Sequence, residues 1–71
     1  PRVARALLRL AGDGTEVVAT PERIAVEIGS AREAVSRQLA AFARAGWIRP
    51  GRGRVTLLDR PALVRLVAEA Q

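Results

Sequence analysis

Positions 32, 33, 36 and 37 of this 71-residue chain carry arginine, glutamate, serine and arginine. On an α-helix each residue advances about 100°, so with Arg32 at zero Ser36 falls at about 40°, Glu33 at about 100° and Arg37 at about 140°. Val35, Leu39 and Phe42 fall between about 280° and about 340° on the same wheel. One side of the helix is polar and the other is apolar. The polar four have matched hydrogen-bonding capacities. A guanidinium can bond O6 and N7 of guanine together, a carboxylate accepts from N4 of cytosine, and a hydroxyl donates or accepts. On the first two turns of an exposed helix this set can read base edges in the major groove of duplex DNA.

Glu33 is the informative member. A carboxylate near a phosphate lattice costs electrostatic energy, so its place between arginines needs a reason. One reason is base reading. The other is a capping box, in which Ser30 caps the helix and Glu33 turns back to the Ser30 backbone N–H. One rotamer cannot fully serve both, and the flanking Arg32 and Arg37 favour base reading. A face charged only for solvation would show no such grouping. Ala40 and Ala43 continue the outward arc with small side chains, and Arg44 follows at about 120°.

A second basic group, Arg52 and Arg54, lies within Gly51-Arg52-Gly53-Arg54. Guanidinium groups on a flexible hairpin tip suit phosphate contacts, which position a protein without reading sequence. The competing reading is a solvated hairpin whose charges discourage edge pairing. Thr20, Ser30 and Arg44 complete the expected phosphate-contacting set with Arg52 and Arg54.

The elements that must hold these groups can be read from pattern. Val3, Leu7, Leu8, Leu10 and Ala11 recur at helical spacing over 2–11, with Arg2, Arg5 and Arg9 on a solvated face. Gly12-Asp13-Gly14 ends that helix, and 17–19 is a short β-prone run, an edge strand. Thr20-Pro21-Glu22 starts a second helix: Thr20 caps, Pro21 takes the first helical position and Glu22 sits at the positive end of the dipole. Ile24, Ala25 and Ile28 give it a buried side, with Ala25 small enough for a close crossing, and Gly29 stops it. The third helix is expected from about Ala31 to Ala45, ended by Gly46. Two helices joined by a short glycine turn form a helix-turn-helix. Strands 47–49 and 54–57, joined by 50–53, form a hairpin or wing. Asp59 then caps a last helix, with Pro61 near its start and Leu63, Val64, Leu66 and Val67 toward the core.

Composition narrows the functional classes. The chain holds 12 arginines, no lysine and 7 acids, for a net charge of +5. Such a balance suits a polyanion, since each neutralised phosphate releases counterions. With no His and no Cys, no Cys/His metal site and no Ser-His or Cys-His nucleophile can be built. Lack of Lys excludes a P-loop, and Thr56 stands where a dinucleotide fingerprint that began at Gly51 and Gly53 would need its third glycine. No paired acid and base is evident, so an enzyme is not expected. Neither a signal peptide pattern nor a membrane-spanning stretch appears. A chain of this length buries only about 60% of its unfolded surface, which allows one compact core. Residues 1–71 are therefore expected to form a single domain. Pro1 is not a natural start, and the chain is read as a fragment of something longer, located in the cytoplasm.

The run Arg32-Glu33-Ala34-Val35-Ser36-Arg37 resembles the recognition helix of the Crp/Fnr family of bacterial transcription regulators. Helix 1, Thr20-Pro21-Glu22, Gly29, Gly46-Trp47-Ile48 and Leu57-Leu58-Asp59-Arg60 also fall where that family's C-terminal winged-helix domain has counterparts. The resemblance implies a mainly α winged helix-turn-helix with a small β-hairpin, reading double-stranded DNA and needing no cofactor of its own. It implies a full-length homodimer whose N-terminal sensor and dimerisation helix are absent here, with RNA polymerase as a further partner, and an isolated domain that is monomeric and binds weakly. Arg32, Glu33 and Arg37 would contact bases in one branch of the family, and Glu33, Ser36 and Arg37 in the other. Both sets are present, which leaves TGTGA-like and TTGAT-like half-sites open. Gln38 departs from the family pattern, which has an inward aliphatic residue there. A winged helix used for protein contact, without sequence-specific DNA binding, is the alternative function.

Overall fold

The computed structural model describes residues 2–70; Pro1 and Gln71 lie outside the described residues. The chain runs α1 (Arg2–Ala11), β1 (Glu16–Val17), α2 (Pro21–Ile28), α3 (Arg32–Arg44), β2 (Ile48–Gly51), β3 (Arg54–Leu57) and α4 (Arg60–Glu69). The strands form one antiparallel sheet in the order β1-β3-β2. This is the expected mainly α fold with a small hairpin. Among the described residues no helix is long and apolar enough to cross a membrane.

One apolar core joins all the helices and the sheet. Leu7, Ile24, Val35, Leu63 and Val17 are its largest fully buried side chains, and no polar or charged side chain is buried among the described residues. α1 packs on α2 and α4, and α2 on α3. Two residues expected in the core are not there: Leu10 is 39% exposed and Val64 48%. Val3 and Leu7 already fill the inner face of α1, while Leu63 does so for α4, and a surface helix has only one such stripe. The edge strand also lies one residue earlier than expected, because Val18 points to solvent and Glu16 pairs with Thr56.

The helix-turn-helix is closed by local hydrogen bonds. Thr20 Oγ1 accepts from the Arg23 backbone N–H at 3.2 Å, as an N-cap should. Gly29 adopts φ +65°; its N–H donates to Val26 O, and that of Ser30 donates to Ala25 O. This is the Schellman closure. α3 ends the same way at Gly46, φ +81°, with Trp47 N–H donating to Phe42 O. The Trp47 and Phe42 rings stack there at 5.6 Å, supplying the apolar contact that accompanies such an ending.

The start of α3 corrects the capping expectation. Its N-cap is Ala31, not Ser30, and it makes no side-chain capping bond. Ser30 instead spends its backbone N–H on closing α2. A residue held in the closing turn of one helix is one position too early to cap the next, so the Ser30–Glu33 capping box does not form.

The wing is longer and its turn tighter than expected. Gly51 pairs with Arg54, which leaves Arg52-Gly53 as the turn. Gly53 takes φ +68°, and a Cβ on Gly51 would lie 3.1 Å from Arg54 Cγ. Pro50 is tolerated inside β2 because β2 is an edge strand. Asp59 Oδ1 caps α4 through the Ala62 N–H at 3.1 Å. Arg60 reaches back to donate to the carbonyls of Gly12 and Gly14, tying the α1–β1 turn to α4.

Candidate nucleic-acid interface

α3 is anchored by its apolar arc. Val35, Leu39 and Phe42 are buried, at 0%, 5% and 4% exposure, and pin the helix against the core. That fixes the rotation of the helix about its own axis. Glu33 and Arg37 must then face solvent on the far side, with Arg32 at the margin of the apolar arc; all three are exposed, with Ser36 half-buried beside them. Gln38 is exposed as well. It lines a shallow cleft with Val3, Ile28, Ser30 and Ala34, so the polar residue is accommodated at the surface and α3 keeps its packing.

The absence of a capping side chain on Ala31 has an electrostatic consequence. The first N–H groups of a helix lack intrahelical acceptors and carry the positive end of the dipole. At α3 no side chain of the cap residue occupies them, which leaves that end available to an anion. Glu33, released from the capping box, is an exposed carboxylate on the same first turn.

The arginines fall into two groups. Arg32 Nε lies 2.7 Å from Glu22 Oε2, so α2 holds a side chain of α3. Arg54 lies 3.8 Å from Glu16 of β1, whose carboxylate also accepts from Thr56 Oγ1 at 2.8 Å. Among the described residues Arg37, Arg44 and Arg52 have no carboxylate within ion-pair distance. Chiefly its own backbone N–H, and then the Arg32 guanidinium, hold the Glu22 carboxyl below the usual carboxylate range.

Of the other expected contacts, Arg44 is exposed in the last turn of α3 and Arg52 at the tip of the wing. Thr20 is exposed, and its hydroxyl oxygen accepts from the Arg23 backbone N–H. Ser30 is half-buried in the cleft with Gln38. Reading the sequence found Glu22 only as a helix-start residue; its pairing with Arg32 depends on how α2 crosses α3, for which no local pattern exists. No group of three or more metal-ligating side chains occurs among the described residues.

Residues 1–66 match the family model of the Crp-like helix-turn-helix domain. The chain belongs to this family. The Crp-like domain is a DNA-binding winged helix-turn-helix, not an enzyme. It is 38% identical over 73 aligned positions to the transcriptional regulator SdrP of Thermus thermophilus, covering 92% of this chain and 36% of SdrP. Among solved structures, it superposes on a CRP/FNR-family transcriptional regulator from Thermus thermophilus with a TM-score of 0.87 and 36% identity, over 94% of this chain and 39% of that one. It also superposes on the Thermus thermophilus catabolite activator protein with a TM-score of 0.86 and 35% identity, over 99% of this chain and 34% of that one. The chain thus spans less than two-fifths of the length of each of these relatives.

Proposed function

We propose that this domain reads duplex DNA by inserting the start of α3 into the major groove, with Arg32, Glu33, Ser36 and Arg37 on base edges. The observation that carries this reading is the orientation of α3. Its apolar arc is locked in the core while Arg32, Glu33 and Arg37 face outward at the uncapped end of the helix. Phosphate contacts by Thr20, Ser30, Arg44, Arg52 and Arg54 set the register, and the net charge of +5 favours them. Residues 1–71 act as one DNA-reading domain of a longer regulator that carries a sensor and a dimerising segment. In that protein two copies address half-sites about one helical turn apart, and RNA polymerase and the cytoplasm are its partner and its compartment. The isolated chain is a monomer that binds weakly.

Selection from a random-duplex pool at low salt tests this directly. The expected outcome is one enriched half-site whose binding weakens steeply as salt rises. Recovery of no common sequence would sink the reading. A flat salt response would favour a winged helix used for protein contact.

A further inference from the structure

The arginine expected to read a base at the start of α3 is held by a carboxylate from the neighbouring helix. We propose that Glu22 is a positioning residue for sequence reading: it orients Arg32 for one base pair and keeps that arginine off phosphates elsewhere. This inference rests on the reading given under Proposed function and deepens it.

The geometry is specific. The contact runs from Arg32 Nε to Glu22 Oε2 at 2.7 Å. A guanidinium has five N–H donors in a planar fork. With Nε the nitrogen that faces the carboxylate, the two terminal nitrogens, Nη1 and Nη2, remain as a paired set for O6 and N7 of guanine. Glu22 is itself constrained. It sits in the first turn of α2, two residues after the Thr20 cap that fixes the start of that helix. The helix-turn-helix angle is therefore passed on to the direction of one side chain of α3.

Both side chains are more than half exposed, and such a pair adds little stability. Its consequence lies in binding. An arginine already held in one geometry loses less freedom when it meets a base. The adjacent negative charge opposes the approach of phosphate, so contacts that ignore sequence are weakened more than the cognate one. Arg37 has no carboxylate within ion-pair distance among the described residues, so the effect belongs to the base pair read by Arg32.

The test compares this chain with its Glu22→Gln and Glu22→Asp variants, after thermal unfolding shows that each folds. The probes are the duplex recovered by selection, its single-base variants, and an unrelated duplex of equal length. Glu22→Gln should lower discrimination about three- to tenfold at the one position that Arg32→Ala also relaxes, and leave the other positions within about twofold. Glu22→Asp keeps the charge and loses the reach, and should lower discrimination there in the same way. In an Arg32→Ala background Glu22→Gln should change discrimination no further. Equal tightening to every duplex, with discrimination intact, would mean simple removal of a negative charge and would overturn the proposal. A parent chain that prefers no duplex would instead overturn the DNA-reading function, and this inference with it.

Discussion

At the scale of single residues, two exposed arginines near the start of one helix differ in their surroundings. Arg37 projects from the second turn of α3 with no carboxylate in ion-pair range among the described residues, while Arg32 is paired with Glu22. Arg37→Ala should cost about 1–3 kcal/mol at the selected duplex and relax preference at one base pair. Fluorescence anisotropy against the single-base variants checks this, and an equal loss on every duplex would remove Arg37 from base reading. Glu22 gives a pH prediction. Its carboxyl is held below the usual range, first by its own backbone N–H and then by Arg32. A group whose folded value is depressed stabilises the fold above its unfolded value, and the contribution disappears as pH falls through the folded one. The acid limb of stability should therefore be shallower in Glu22→Gln than in the parent, by a small amount because the group is exposed. Chemical denaturation between neutral pH and the bottom of the carboxylate range measures it.

At the scale of elements, the junction of α2 and α3 decides the character of the site. Ser30 sits where a cap was expected, yet its N–H completes the closure of α2 and Ala31 becomes the cap of α3. Ala31→Ser should supply the missing side-chain acceptor and stabilise the domain by about 1 kcal/mol. Ser30→Ala should stay within about 0.5 kcal/mol of the parent, since the Ser30 side chain does not cap α3. Thermal unfolding distinguishes the two. The opposite order would restore the capping box. The same junction separates what pattern could reveal from what it could not. Val35, Leu39 and Phe42 could be assigned inward because their spacing matches one stripe of a helix. Leu10 and Val64 could not be assigned outward, since an apolar residue at the margin of a stripe looks the same in sequence whether or not a neighbour covers it. Position 30 or 31 as cap depended on where the closing turn of α2 spent its N–H groups.

At the scale of the whole molecule, charge and shape have separate jobs. The excess of arginine draws the domain to a polyanion, and the fold decides which arginines meet it. Arg52, at the tip of a two-residue turn, has no ion-pair partner among the described residues. Arg52→Ala should weaken binding to all duplexes about equally and reduce the salt slope by about one unit. Titrations at several salt concentrations with cognate and unrelated duplexes read out both effects. A loss confined to one sequence would move Arg52 from phosphate to base contact.

Helix and strand identities, the glycine endings at Gly29 and Gly46, and the division of α3 into buried and exposed arcs were legible in the chain, because each follows from periodicity or from a backbone angle only glycine adopts cheaply. The cross-element pairs, Glu22 with Arg32 and Glu16 with Arg54 and Thr56, arise only once helices cross and strands align. They join residues distant in the chain, and neighbouring residues carry no record of the angle at which α2 meets α3 or of the register of β1 on β3.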